Sequence, residues 1–383
     1  LQAWGCKNGA NAPTLRLCIL GGRGFVLQGR YSDEGYSALD VPTSAAIAYV
    51  RDRSNDSVRP ASNALPPEAV EAVAKTLLVV DAACDMPTVW LHNHHVAVVP
   101  VVVRRGQDSV IDARDDTQSA YFIRHELGVG GIEGEAEPLA PVEIRDHLQS
   151  WMTHSIDYVV QITFAANRSK MYVNSLQATQ SLVLIHNKVR RSIGNRAPLN
   201  ARVIDSLTGL TGLAVLLAYA VHLRNRGVAA PHIATSIETF RNIVHTLIVP
   251  DDLRYLRQPS QRKDSLSGWK YLIAKMFNIK PVLYAGSGDV HTVARIRNVD
   301  NARTHALALA AKHVVLGLAT PTVCVSYAGE LSELYAMPGF EALSAECRRH
   351  RTELITTVMG MTGSLKLGPG ALSVSFASER FLP

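Results

Sequence analysis

Along the chain, unbroken apolar runs alternate with stretches in which apolar positions recur every three or four residues. "TLLVVDAACDMP" after Lys75 and "HHVAVVPVVVRR" (94–105) are runs of the first kind, rich in β-branched residues. They predict strands covered on both faces by helices. An acidic, Gly-rich loop follows at 127–141. The pattern then predicts a helix at 142–153, the strand "DYVVQITFA" (157–165), a helix over 169–186, the strand "ARVIDS" (201–206) and helices at 208–227 and 233–246. Strand and helix alternate, so this half is expected to be α/β with a mainly parallel sheet.

The second half begins near "HTLIVPDDLRYL" (245–256). A helix around 267–277, the strands "IKPVLYAG" and "VHTVARIR", a helix at 301–312, "TVCVSYAG", a helix at 330–345, "ELITTVMG" and a final "GALSVSF" follow. Strand pairs joined by short Gly turns predict an α+β domain with an antiparallel component. Residues 1–75 are rich in Gly, Asn, Ser and Pro and read as an N-terminal extension. The expected organisation is therefore 1–75, an α/β domain over 76–244 and an α+β domain over 245–383. Length agrees, since 383 residues exceed the roughly 250–300 at which single cores stop growing.

Charge and cysteine content narrow the function. The formal charge of +6, from 39 basic and 33 acidic residues, is spread along the chain. Its densest basic clusters carry few aromatics, whereas a single-stranded nucleic-acid surface interleaves the two, so no nucleic-acid partner is expected. Five cysteines lie far apart with no C-x-x-C pair. Neither a disulfide framework nor zinc is indicated, and a reducing, cytoplasmic location fits. The start "LQAWGCKNGANAP" lacks a signal-peptide pattern, and Leu at position 1 is consistent with truncation or processing. "LTGLAVLLAYAV" is shorter than the ~18 apolar residues that span a bilayer.

An open α/β sheet binds ligands at the carboxyl ends of its strands, and those ends carry "DAACD", "AANRSK" and "DSLTGLTG". Asp81 and Asp85 can be read as an acid–base or magnesium pair, but loop and cap roles are the stronger reading, and Asp205 and Ser206 are read the same way. "HNHH" (92–95) lacks a carboxylate or cysteine at ligand spacing, so no metal is expected. Ser169 has no G-x-S-x-G elbow around it, which argues against a hydrolase. "SLKLGPGALSVSF" (364–376) sets Lys366 before a glycine–proline–glycine turn. Two readings stay open: a turn that places Lys366 at a cleft mouth, or a plain hairpin with an exposed lysine.

A set of motifs carries a resemblance. "LxYL" (Leu253, Tyr255, Leu256), "NIKPVL" (278–283) and "GPGAL" (368–372) are preceded by "VVDxxxDMP" (79–87), "VVP" (98–100) and "VIDS" (203–206). In order and spacing, from about 76 to 378, the chain resembles the DegV family of bacterial fatty-acid-binding proteins. The resemblance implies a two-domain α/β protein holding a long-chain fatty acid in an internal tunnel. Its carboxylate is then phosphorylated by a partner fatty acid kinase, so the carrier itself is not an enzyme and needs no cofactor. No P-loop is seen, in keeping with that role.

The resemblance also assigns residues, and here the chain departs from the pattern. Glu135 and Ala136 stand where the family places a threonine and a serine. The helix start "NRSKMY" keeps Ser169 but has Lys170 and Met171 for glycine and threonine, and Lys366 stands at a histidine position. The implied head-group residues are Asn167, Arg168, Ser169, Lys366 and Gly368, with Asp81, Asp85, Glu135, Asp205, Ser206 and Lys280 in the cleft loops. Arg257, Arg262 and Lys263 are candidates for docking the kinase, and transient contact with a membrane surface is compatible with a lipid carrier. A diverged regulatory or interaction protein that has lost the head-group site is the alternative.

Overall fold

The computed structural model describes residues 75–127, 134–153, 155–194, 197–255 and 278–383. All of the 1–75 extension except Lys75, the helix expected around 267–277, and Arg257, Arg262 and Lys263 lie outside the described residues. In the first half the elements are β1 (Thr76–Asp81), α1 (Thr88–Asn93), β2 (Val96–Val99), β3 (Val101–Arg105), β4 (Asp108–Asp112), α2 (Asp116–Tyr121), β5 (Glu135–Pro138) and α3 (Pro141–Trp151). These are followed by β6 (Tyr158–Thr163), α4 (Met171–Ser192), β7 (Asn200–Asp205), α5 (Thr211–Asn225) and α6 (Ala230–Phe240). The second half has β8 (Val244–Val249), β9 (Ile279–Gly286), β10 (Asp289–Arg297), α7 (Val299–Leu316), β11 (Thr322–Tyr327), α8 (Leu331–Ala336), α9 (Phe340–Arg349), β12 (Glu353–Val358), α10 (Met361–Leu367) and β13 (Leu372–Ala377).

Strands β2, β1, β6 and β7, in that order, form a sheet in which every pairing is parallel. The second sheet has the order β10-β9-β8-β13-β11-β12 and is antiparallel except for β11 with β12. Between the two sheets runs α5, whose Leu213, Ala214, Val215, Leu216 and Leu217 are all fully buried. They pack against Leu78, Val160 and Ile204 of the parallel sheet and Cys324 and Ala377 of the mixed one. That accounts for the all-round apolar "LTGLAVLLAYAV": it is a core helix, buried on nearly every side as far as Val221.

At the start of α5 the packing is polar. The Thr211 hydroxyl lies 2.6 Å from the hydroxyls of both Ser373 and Ser375, and Ser375 donates to Thr246 at 2.8 Å. A Cβ on Gly212 would lie 2.3 Å from Thr208 Oγ1 and 2.4 Å from Thr246 Oγ1. Glycine is needed there so that the helix can approach the hydroxyl row.

Four sequence expectations are corrected. "HHVAVVPVVVRR" is two strands in different sheets: Val99 pairs with Asp81, while Val101 pairs with Asp112 and Pro138 in a three-stranded antiparallel sheet β4-β3-β5. Pro100 stands between them, with no N–H to continue either ladder. The helix expected over 233–246 ends at Phe240, because "VHTLIV" becomes β8, held between β13 and β9. The helix at 330–345 is two, α8 and α9, broken at Pro338 and at Gly339, whose φ is 92°. Part of the 127–141 loop forms β5, and the unassigned 106–126 forms β4, α2 and a π-helical turn.

Candidate functional site

In the order β2-β1-β6-β7 the chain leaves β1 to one side and β6 to the other, so the crevice lies at the carboxyl ends of these two strands. Asp81, the last residue of β1, sits there and is 1 % exposed. Its carboxylate accepts from Phe164 N at 2.6 Å and from Ala83 N at 3.0 Å. It therefore ties β1 to the segment that follows β6. Burial pushes this carboxyl up from 3.8 to about 6, against the pull of the two backbone donors and of the Lys366 charge.

Lys366 reaches the same place from the opposite side. It occupies the last turn of α10, where the helix dipole favours a cation. The side chain is half-buried, and its Nζ lies 4.8 Å from the centre of the Phe164 ring. That distance is within cation–π range. Burial lowers the pKa of the ammonium, Asp81 raises it and Arg168 lowers it further. Both turn readings are thereby revised: Lys366 is on a helix, and it is not an exposed lysine on a plain hairpin.

A buried polar network holds α10 in position. Asp85 accepts from Ser326 Oγ at 2.5 Å and from Gly360 N, just before α10, at 2.9 Å. Asp112 accepts from Arg114 N and from both the backbone N and the hydroxyl of Thr362. Arg114 is 1 % exposed and donates to Cys84 O, Thr357 Oγ1 and Val358 O. Burial raises both carboxyls, with Arg114 opposing it. At the other end of α10, Gly368 has φ 85°, and a Cβ there would lie 2.5 Å from the Tyr255 ring. The first glycine of "GPG" thus seats the chain on the tyrosine of "LxYL".

The other candidate residues divide into three groups. Asn167 donates to Gly288 O at 2.7 Å, and Asp205 accepts from Ala166 N and Leu207 N at 3.0 Å, so both brace loops around the crevice. Ser169 Oγ accepts from Met171 N at 3.1 Å at the start of α4, and buried Ser206 donates to Thr208 O. Glu135 is exposed on β5, not in a loop, and Lys280 is held by Asp251. Sequence reasoning missed Phe164, Asp112 and Arg114; only the aromatic at the end of a strand run was visible as a signal. An apolar cluster including Phe122, Leu210, Tyr255, Met359 and Leu365 packs with α10. Among the described residues no helix is long and apolar enough to cross a membrane.

A parallel sheet with a buried carboxylate at its switch point, beside a short helix that follows a strand of the mixed sheet, defines a two-sheet α/β architecture. The sequence profile of the DegV family of uncharacterised proteins matches residues 75–379, and the chain belongs to that family. A DegV domain-containing protein of Xanthomonas axonopodis pv. citri is 33% identical over 304 residues, covering 79% of this chain and 97% of the relative. Among solved structures, the Bacillus subtilis DegV, described as a fatty acid binding protein, aligns with TM-score 0.62 at 19% identity, covering 80% of this chain and 99% of that one. The fatty acid kinase B3 protein of Streptococcus pneumoniae, loaded with linoleic acid, aligns with TM-score 0.59 at 14% identity, covering 79% and 99%.

Proposed function

We propose that this protein binds a long-chain fatty acid with its carboxylate at Lys366 and its acyl chain among the apolar residues packed with α10. It then presents the carboxylate to a kinase partner, which performs the phosphorylation to acyl-phosphate. The observation that carries the reading is the half-buried Lys366, set against Phe164 and Asp81 at the switch point and bordered by apolar side chains. Burying about 16 methylenes at about 0.8 kcal/mol each supplies a gross gain of about 13 kcal/mol. The carboxylate must then meet donors, because an unpaired buried charge costs several kcal/mol. Lys366 supplies the charge. Ser169, although it accepts from Met171 N, still has a hydroxyl proton to donate.

The test is organic extraction of the natively purified protein followed by mass spectrometry, beside a Lys366→Met, Ser169→Ala variant. The expected result is stoichiometric fatty acid in the wild type and loss of most of it in the variant. A wild-type protein that is empty and takes up no added fatty acid overturns the reading and favours a diverged interaction protein. Contact with the kinase is assigned to Arg257, Arg262 and Lys263, with electrostatic steering as the reason. Charge reversal at these positions should slow association in low salt.

A further inference from the structure

Arg224, near the end of α5, is a buried cation that lies away from the switch point. It is 1 % exposed, yet among the described residues its Nη2 donates only to His94 O, and Nε and Nη1 have no acceptor. Burial lowers its pKa to about 10, so it is a cation at neutral pH. The usual compensation at a helix end is taken up elsewhere. Leu223 O accepts from Arg226 N and Val228 N, and Arg224 O accepts from Gly227 N, closing the carbonyls of the last turn with a glycine at φ 77°. A buried guanidinium with open donors carries a desolvation penalty that a bound anion offsets in both charge and hydrogen bonds.

The facing segment is "HNHH" (92–95), which contains no acid. His94 is half-buried, and His92 and His95 are exposed. The His94 ring lies against Trp90 with centres 4.1 Å apart and the planes tilted by 45°, and the Trp90 indole is itself engaged with Glu353. Burial and then the Arg224 charge hold His94 neutral, so its ring can donate from one nitrogen while Arg224 supplies the charge.

We infer that the corner formed by Arg224 and the His92–His95 segment binds a small oxyanion, the phosphate or carboxylate group of a metabolite, separate from the fatty-acid site. Arg is suited to this role because it stays charged when buried and offers several N–H groups in a fixed plane. Within the segment it is His94 that meets Arg224, through its backbone carbonyl and through the charge its ring feels.

The test uses the full chain at constant ionic strength, with phosphate, acetate or chloride as the varied anion. Thermal unfolding in 10 mM-scale phosphate should shift up by about 2–4 °C over chloride, as expected when a ligand binds only the native state. The phosphorus-31 line of phosphate should broaden on adding protein. His94→Gln, on a half-exposed ring, should fold normally and weaken binding by about tenfold. Arg224→Met should abolish both signals. A shift with phosphate alone assigns a phosphate ester, and an equal shift with acetate assigns a carboxylate. No shift beyond chloride with an unbroadened phosphorus line, or signals unchanged in His94→Gln and Arg224→Met, overturns the inference.

Discussion

Asp81 makes the fatty-acid reading sensitive to pH. Its carboxyl titrates at about 6 because it is buried, and the ligand carboxylate proposed at Lys366 brings a second negative charge to the same cation. Two carboxylates around one ammonium repel, so binding should draw a proton onto Asp81. At pH 7 a group titrating at about 6 is about nine-tenths ionised, and uptake of one proton costs up to tenfold in affinity per pH unit above 6. The expected result is a Kd that rises up to about tenfold per unit above pH 6 and levels off below it. In Asp81→Asn the dependence should vanish. Stability supplies a second readout. Folding raises this carboxyl from 3.8 to about 6, so the native state carries no penalty below pH 4, an increasing one between 4 and 6, and a constant one above. Its size is about 2.2 × 1.36, or about 3 kcal/mol. Asp81→Asn should therefore gain about 2–2.5 kcal/mol relative to wild type between pH 4 and pH 7, whatever it loses in bonds to Phe164 N and Ala83 N. Displacement of a fluorescent fatty acid and urea unfolding across pH 4–8 measure the two effects. A flat wild-type profile, or the same slope in Asp81→Asn, refutes the reasoning.

Other outcomes follow from particular contacts. Arg114→Met leaves Asp85 and Asp112 buried without their cation and should cost about 3–5 kcal/mol in denaturant unfolding. Gly368→Ala places a Cβ against the Tyr255 ring at positive φ and should cost about 2–3 kcal/mol, with loss of bound fatty acid as α10 shifts. Cys84 and Cys324, both fully buried with thiol pKa values pushed well up, and Cys347, pushed up to about 12, should resist alkylation in the native state. Residue-resolved mass spectrometry should find them labelled only after unfolding.

Strand and helix alternation in the first half was legible because covered strands read as continuous apolar runs, as at Leu77–Val80 and Val159–Ile162. The motif order from "VVD" to "GPGAL" also identified the family without coordinates. Local patterns failed where neighbours in space outweighed neighbours in sequence. Residues 94–105 read as one strand, yet Pro100 lets the chain pass from one sheet to another. "VHTLIV" could extend a helix until β13 and β9 hold it as a strand. The candidate site was half legible. Asp81, Ser169 and Lys366 were named from sequence, but their burial and bonding were not. The pKa of Asp81 depends on a desolvated crevice and on a lysine 285 positions away in the chain. Arg224 has the same origin: in sequence it is one more basic residue on a helix, and only α5 lying between two sheets makes it a buried cation. Periodicity reports which face of a segment is apolar. Long-range packing decides which charges lose their water and which partners they then require.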